Sequence, residues 1–284
     1  MSVFSPGAFP SSVPVRSRRR AATIFVLATL TIITAVCVGF LLSSVTLPDW
    51  LTLIGRWIPA VVSLIVIAIV RPPGSVSRWW MLRPRRVGTL LSGLAVGTIG
   101  IAAIYAVAAG LAVLFGVAAP LSWGSYAQIA ALAIPAAIVF SLSTLGEEVG
   151  WRAFLPQLMP ELNLWVRAGA ISGIWVLFHV PLHAAMILQG VLSPMIGLVS
   201  TLLLLPLGVF LAMLVERFGS VWPAVIAHAV PMSVLNLVSG SAELSAGALW
   251  SLTGITTAVL IVGAMLAAPR RRQTGGDGVS AAHR

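Results

Sequence analysis

Long apolar runs separated by short polar segments dominate this sequence, and they leave few folds open to it. The chain has 284 residues, of which 59% are hydrophobic and only 8% are charged. A soluble domain carries about 25% charged residues, whereas a helix that spans a bilayer needs roughly 20 apolar residues in a row. We therefore predict an all-α, polytopic integral membrane protein with about eight transmembrane helices.

The predicted spans are residues 22–46, 51–70, 89–117, 125–157, 165–187, 195–215, 221–238 and 247–267. The fourth is too long for one straight span, so it either projects beyond the bilayer or begins after Pro135. The first has a longer apolar core than the roughly 7–15 residues of a cleaved signal peptide, which predicts a signal anchor. The polar tails, 1–20 and 269–284, are predicted to be disordered and cytoplasmic, which leaves a transmembrane domain over 21–268.

The basic charges lie beside the apolar runs. The formal net charge is +10, and all 17 basic residues are arginine. If the N-terminus is cytoplasmic, 15 of these arginines fall in cytoplasmic segments and the opposite loops hold none, which is a strong positive-inside signal. We therefore predict a multi-pass protein of the cell (cytoplasmic) membrane with both termini in the cytoplasm. Anionic lipid headgroups are the expected contacts of the arginines, rather than nucleic acid.

Two adjacent glutamates, Glu147 and Glu148, lie inside the fourth apolar run. A carboxylate at bilayer depth costs roughly 2.5–3.5 kcal/mol, so such a residue indicates a functional site by default. Glu148 is four residues before Arg152 and shares its helix face, which predicts an ion pair. Glu147 is rotated by about 100° from Glu148 and is left free to act as a general base. The alternative is an ion network that only holds helices together.

Two histidines on other spans are predicted to lie near the glutamates. His179 is in the fifth span, one turn after Trp175, and His228 is in the seventh. At a rise of 1.5 Å per residue, Glu147 lies about 15 Å from the cytoplasmic end of its span, His228 about 10 Å and His179 about 20 Å. These depths are similar enough for the three side chains to line one cavity that opens to the cytoplasm.

Two further polar residues in the spans are interpreted as structural. His183 follows His179 by four residues, a spacing that can bind a metal on a regular helix. Pro181 lies between them and removes a backbone hydrogen bond, so we assign His183 a packing or secondary role. Arg56 is near the outer end of the second span and is expected to extend its guanidinium to the membrane surface.

Three short motifs resemble those of the CPBP family of intramembrane proteases, relatives of the type II CAAX prenyl endopeptidases and of bacteriocin-processing proteins. They are Glu-Glu-x-x-x-Arg at 147–152, aromatic-x-x-x-His at 175–179, and the histidine of a His-x-x-x-Asn motif at His228. Their order and spacing match the family, and together they cover a protease-like core of about residues 125–236.

The resemblance implies an intramembrane endopeptidase that acts on membrane-associated, prenylated or peptide substrates. It implies that Glu147 activates water, that Glu148 and Arg152 support it, and that His179 and His228 shape the site. Glu147, His179 and His228 would also suit zinc or another divalent metal with one open position. Metal-activated and glutamate-activated water both fit the sequence, so a metal cofactor and no cofactor at all stay open.

The chain departs from the family motif at Met232, which stands where the family often has asparagine. Methionine cannot donate a hydrogen bond to an oxyanion. Asn236 is one helical turn further along and is the candidate substitute. The departure keeps open a second hypothesis, a catalytically impaired family member that acts as a membrane scaffold. A proton-coupled transporter is a third, although such proteins favour repeated halves and the polar residues here are all in the second half.

Overall fold

The computed structural model of the protein describes residues 14–230 and 232–269, without the side chain of Asp49. Its first half comprises α1 (Val15–Leu42), α2 (Asp49–Ile54), a 3₁₀ turn (Gly55–Trp57), α3 (Ile58–Val70), α4 (Val76–Trp79), α5 (Val87–Leu114) and β1 (Ala119–Pro120). Its second half comprises α6 (Trp123–Glu148), a π-helix (Val149–Phe154), α7 (Leu155–Gln157), α8 (Leu164–Leu188), α9 (Pro194–Phe218), α10 (Trp222–Ala229), a 3₁₀ turn (Val234–Leu237), β2 (Val238–Ser239), a 3₁₀ turn (Ser241–Glu243) and α11 (Ala246–Ala267).

Helices that can cross a membrane make up most of the described chain, which confirms the predicted fold class. By length and hydropathy there are seven in the described residues: Val15–Leu42, Trp50–Val70, Val87–Leu114, Trp123–Gln157, Leu164–Leu188, Pro194–Phe218 and Ala246–Ala267. The first begins at Val15, so residues 15–20 are helical and the prediction of a disordered tail is wrong for them. Residues 1–13 of the N-terminal tail, and all of the C-terminal tail except Pro269, lie outside the described residues.

The predicted seventh span, residues 221–238, is not a long helix. α10 has only eight residues, and the backbone of Val230 after it is extended. A 3₁₀ turn and β2 follow, and β2 pairs antiparallel with β1. The apolar composition concealed this break, because backbone without helical hydrogen bonds is tolerated at membrane depth where it is buried in protein or lines a cavity.

This broken segment still runs from one end of the helix bundle to the other. At its start, the Trp222 indole donates to the carbonyl of Leu82, just before α5 begins. At its end, Leu237 accepts a hydrogen bond from Tyr126 in the first turns of α6. The bundle is therefore traversed eight times by the described chain, and seven of the traverses are long helices.

Both ends of the described chain lie at the same end of the bundle. α1 begins beside the α7–α8 connection, the first turn of α8 contacts the last turn of α9, and α9 ends beside the end of α11. The contacts are Arg18 Nη2 to Glu161 Oε1 (2.5 Å), Arg167 Nη2 to Glu216 Oε1 (2.6 Å) and Arg217 Nη1 to the Leu266 carbonyl (2.9 Å). An even number of traverses requires this arrangement.

The fourth predicted span is one continuous helical run, Trp123–Gln157, of 35 residues. Pro135 lies inside it, so the helix itself does not begin after that residue. At 1.5 Å per residue the run is about 50 Å long and exceeds a hydrocarbon core of about 30 Å. Its π-helix begins directly after Glu148, and π-helical turns occur frequently at functional sites.

Candidate active site

The carboxylate of Glu147 is completely buried between three side chains from other parts of the chain. Its Oε2 accepts a 2.5 Å hydrogen bond from the indole N–H of Trp175 on α8. Its Oε1 lies 3.2 Å from Nε of Arg56, in the 3₁₀ turn before α3. Nε2 of His179 is 3.9 Å from Oε2, which is beyond direct hydrogen-bond range. Glu147 thus has an indole donor, a cation and a nearby imidazole.

The neighbouring Glu148 has a separate set of partners. Its Oε1 accepts a 2.8 Å hydrogen bond from Nδ1 of His228 at the end of α10. The same oxygen lies 3.4 Å from Nη1 of Arg152, an ion pair within the helical run. Glu148 and Arg152 are both buried. Each glutamate therefore has its own arginine and its own histidine, which offsets part of the cost of burying two adjacent carboxylates.

Trp175 lies at the centre of this cluster and is fully buried. In addition to its bond to Glu147, its ring carries the Arg152 guanidinium at 4.0 Å from the ring centroid. The rings of His179 and His228 meet it edge to face, with centroids 5.1 and 5.3 Å away. One indole thus holds a carboxylate, an arginine and both histidines in fixed relative positions, through hydrogen-bonding, cation–π and aromatic contacts.

The partners of the histidines determine which ring nitrogen carries a proton. Nδ1 of His179 is 2.9 Å from the carbonyl of Trp175, and Nδ1 of His228 faces Glu148. Both partners are acceptors, so both Nδ1 atoms donate. In a neutral imidazole, Nε2 is then left with a lone pair that can accept a proton or bind a ligand.

Three members of the cluster, Arg56, His179 and His228, line a chamber of about 270 Å³. Tyr105 and Met232 line it as well. Apolar residues of α5 and α9 complete most of the wall, among them Ile101, Leu203, Leu204 and Leu207. The chamber is large enough for several water molecules or part of a substrate, and it is mostly apolar except at the cluster.

Two glycines allow the cluster to form. At Gly146 on α6, a Cβ atom would lie 2.7 Å from the carbonyl oxygen of Arg56. At Gly208 on α9, it would lie 2.5 Å from Oγ of Ser172 and 3.0 Å from Nη2 of Arg152. Glycine at 146 lets the Arg56 turn approach the glutamate helix, and glycine at 208 leaves room for the Arg152 guanidinium.

Most of the site residues predicted from the motifs lie together, but Asn236 does not. Glu147, Glu148, Arg152, His179 and His228 belong to the cluster around Trp175. Asn236 is exposed and does not line the chamber. The argument that placed it on the helix face of His228 is wrong, because α10 ends at Ala229. Met232 does line the chamber, and so does Ser233 beside it.

His183 also lines the chamber, one turn after His179. Its Nδ1 is 2.6 Å from Oγ1 of Thr201, and that hydroxyl donates to the carbonyl of Gly197 on α9. The hydroxyl has one proton, so Nδ1 of His183 is the donor in their contact. His183 therefore ties α8 to α9 and presents its second nitrogen near the chamber.

Arg56 is the member of the cluster that sequence reasoning missed. It was expected to extend toward the membrane surface, but it lies 3.2 Å from Glu147 and lines the chamber. One signal was present in the sequence, since Arg56 and Arg152 are the two arginines more than three residues inside a predicted span, and two glutamates needed counter-charges. No spacing rule relates residue 56 to residue 147, so the sequence could not predict that these two residues pair.

A metal ion is not favoured by the arrangement of donors. Within the described residues, no group of three or more histidine, cysteine, aspartate or glutamate side chains is suitably placed to hold one. Of the three predicted ligands, His228 directs Nδ1 to Glu148 and not toward Glu147. The predicted zinc site stays a prediction, and these residues do not fit it as they stand.

Comparison with known protein families bears on the same segment. Residues 128–232 match the family described as type II CAAX prenyl endopeptidase Rce1-like. The match supports the resemblance to the CPBP and CAAX proteases over this segment. It covers most of α6, the π-helix, α8, α9 and α10, which carry both glutamates, Arg152 and the histidines. A search of curated proteins found no match to this chain.

Proposed function

We propose that the protein is an intramembrane endopeptidase in which Glu147 activates the attacking water. The observation that carries the proposal is that two buried carboxylates each lie close to a different histidine, and that both histidines line one chamber within the helix bundle. Structural ion networks rarely need a cavity beside them, whereas hydrolysis needs room for water and a peptide bond. The Rce1-like match of this segment supports the same reaction class.

The first step is proton removal from a water molecule at the chamber edge. Oε2 of Glu147 and Nε2 of His179 are 3.9 Å apart, so one water can lie within hydrogen-bond distance of both. Glu147 accepts its proton as general base, and His179 holds the oxygen toward the substrate carbonyl. Trp175 keeps the carboxylate in place through its 2.5 Å hydrogen bond.

The negative charge that develops on the carbonyl oxygen needs donors or a cation. Met232 cannot supply one, and Asn236 is outside the chamber. Arg56 lines the chamber beside Glu147 and brings a fixed positive charge, and the Ser233 hydroxyl lies on the same wall. We assign oxyanion stabilisation to Arg56, because preorganised charge in a low-dielectric site contributes strongly to catalysis. Glu148 and Arg152 orient His228 from behind.

The substrates of this proposal are membrane-associated proteins or peptides, including prenylated ones, and lipids are the surrounding partners. The location is the cell membrane, with both termini cytoplasmic. Reporter fusions in the 239–246 loop and after Pro269 test the topology, and we expect them to report opposite sides. Identical sides would contradict the eight traverses on which the chamber depends.

The activity is tested by comparing newly formed peptide termini in membranes that carry the wild-type protein or Glu147→Gln. Glutamine keeps the shape of the side chain but cannot act as a base, so termini that depend on the wild type should vanish. Glu216→Gln is the matched control, since it alters a partly exposed carboxylate at the end of α9, away from the chamber. Termini that persist in Glu147→Gln would refute the role of Glu147.

Met232 favours one competing function, a scaffold that binds substrates without cleaving them. Two results together distinguish it from a protease. Wild type would produce no new termini, and Glu147→Gln would still restore the phenotype of cells that lack the protein. Either new termini or failure of Glu147→Gln to restore the phenotype excludes the scaffold.

A further inference from the structure

Tyr105 on α5 is a polar residue of the chamber that takes no part in the ion pairs and hydrogen bonds of the cluster. It is only 7% exposed, and it lines the chamber together with Ile101, one turn before it on the same helix. Its phenolic hydroxyl has no hydrogen-bond partner among the described residues. The oxygen is not enclosed by protein atoms either, so the hydroxyl is able to bond a group that enters the chamber.

The other tyrosine of the chain shows how a hydroxyl in this bundle is satisfied by the protein itself. Tyr126 donates to the carbonyl of Leu237 at 3.2 Å and accepts from the amide of Leu121 at 3.3 Å. A buried hydroxyl without such partners costs free energy, because it gives up its hydrogen bonds to water. Phenylalanine would fill the same space on α5 without that cost. The hydroxyl of Tyr105 therefore indicates a hydrogen-bond acceptor that comes from outside the protein.

The register of α5 against α10 places Tyr105 on the same side of His228 as Met232. The two helices begin at the same end of the bundle, and a Cβ atom at Gly97 would lie 3.5 Å from that of Ala227. Tyr105 follows Gly97 by eight residues, or about 12 Å of helix rise. A helical side chain leans toward the N-terminus of its helix, so the ring of Tyr105 leans back toward the level of His228.

A donor at this place meets a need of the proposed hydrolysis. Met232 cannot donate a hydrogen bond, whereas a tyrosine hydroxyl is one of the groups that stabilise oxyanions in enzyme sites. Arg56 brings a positive charge, but its Nε lies against the Glu147 carboxylate at 3.2 Å. A neutral donor on α5 therefore adds a second hydrogen-bonding group to the chamber, from a different part of the fold.

We propose that Tyr105 is a catalytic residue whose hydroxyl donates a hydrogen bond to the carbonyl oxygen of the peptide bond under attack. The inference rests on the proposed peptidase function. When water adds to the carbonyl carbon, the π electron pair moves to the oxygen, and the bond from Tyr105 stabilises the resulting anion without transfer of the phenolic proton. The bond weakens again when the C–N bond breaks and the carbonyl re-forms. Tyr105 lies outside the matched residues 128–232, so this donor is not part of the family motifs.

The test compares Tyr105→Phe with Tyr126→Phe, because each change removes one phenolic oxygen. The substrate is a quenched fluorescent peptide built on a sequence that the wild type cleaves in membranes, and the full chain is assayed in proteoliposomes. We expect Tyr105→Phe to lower kcat by about a hundredfold, the lower end of the range for a lost oxyanion donor, and to leave KM within about twofold. Tyr126→Phe should leave kcat within about twofold but lower the midpoint of thermal unfolding by about 2–4 °C, since it loses a hydrogen bond. Tyr105→Phe should not lower that midpoint.

Inhibitor binding separates oxyanion stabilisation from any other role of the hydroxyl. A phosphinic analogue of the peptide carries an anionic oxygen at the position of the oxyanion, and a reduced-amide analogue carries no oxygen there. Tyr105→Phe should weaken binding of the phosphinic analogue by about tenfold or more, as for a lost hydrogen bond to a charged group, and should leave the reduced amide within about twofold. Equal effects on the two analogues, or a fall in kcat of less than about tenfold, would overturn the inference and leave the peptidase intact. If the wild type forms no termini that depend on Glu147, the peptidase itself is refuted and this inference with it.

Discussion

The energy of the hydrogen bond from Trp175 to Glu147 can be measured against an internal control, because a second buried tryptophan nearby lacks such a bond. Trp151 and Trp175 are both fully buried in the helix bundle. The indole N–H of Trp175 donates to Glu147 at 2.5 Å, whereas that of Trp151 has no hydrogen-bond partner among the described residues. Replacing each with phenylalanine removes the same atoms, but only Trp175→Phe removes a donor from a buried carboxylate.

The expected difference follows from the energy of a hydrogen bond to a charged group. Such a bond contributes about 1.5–3 kcal/mol net. The Trp175 ring also carries the Arg152 guanidinium, and phenylalanine keeps a weaker form of that contact. Trp175→Phe should therefore be less stable than Trp151→Phe by about this amount. With a shift of about 2–4 °C per kcal/mol for a chain of this size, its midpoint of thermal unfolding in detergent should be lower by roughly 3–12 °C.

A thermodynamic cycle gives the corresponding check. In a Glu147→Gln background the acceptor is neutral, so the gap between the two tryptophan variants should shrink to about 1 kcal/mol. Equal stabilities of Trp175→Phe and Trp151→Phe in the wild-type background would refute the reasoning. So would a gap that is unchanged by Glu147→Gln, because the energy would then come from packing and not from the carboxylate.

Three further predictions concern the residues around this bond. Glu148→Gln should lower the free energy of unfolding by about 3–5 kcal/mol, since it leaves Arg152 buried without its counter-charge. Adding Arg152→Met to the same chain should restore part of this loss. If it restores none, the pairing of Glu148 with Arg152 is contradicted. Gly146→Ala should lower the free energy of unfolding by about 1–3 kcal/mol through overpacking. Gly173→Ala, where the Cβ position is open space, should be neutral or stabilising. Equal effects of the two changes in an unfolding assay would refute the close approach of the Arg56 turn to α6. Asn236→Ala should leave kcat within about twofold of wild type because the side chain is exposed, and a loss of a hundredfold, the scale of a lost oxyanion donor, would return Asn236 to the site.

The sequence was sufficient to predict the membrane fold and the members of most of the site. Long apolar runs decide the class of protein, because backbone groups in a bilayer must be satisfied within helices. The similar depths of the glutamates and histidines were enough to predict that they lie close together. Buried ionisable groups on different spans lower the free-energy cost of burial when they pair. The same reasoning, combined with helical periodicity, gave the Glu148–Arg152 pair that the structure contains.

Three features were beyond this kind of reasoning. The pairing of Arg56 with Glu147 depends on the approach of a 3₁₀ turn to α6, and the sequence signal for that approach is a single glycine, Gly146. The end of α10 at Ala229 is set by tertiary contacts, since the apolar composition continues without a break. Asn236 was misplaced for the same reason, because the helical periodicity used to position it ends seven residues earlier.

The anchoring of the histidines completes the argument for hydrolysis. His179, His183 and His228 all line the chamber, and each directs Nδ1 to an acceptor outside it: a backbone carbonyl, a threonine hydroxyl and a carboxylate. Packing of the bundle alone does not require histidines on two different helices to direct Nδ1 away from the same chamber. With Nδ1 fixed, every neutral ring retains Nε2 as an acceptor, and Arg56 adds the positive charge. Water in such a chamber meets proton acceptors on one side and a cation on the other, which are the two requirements for attack on a peptide carbonyl.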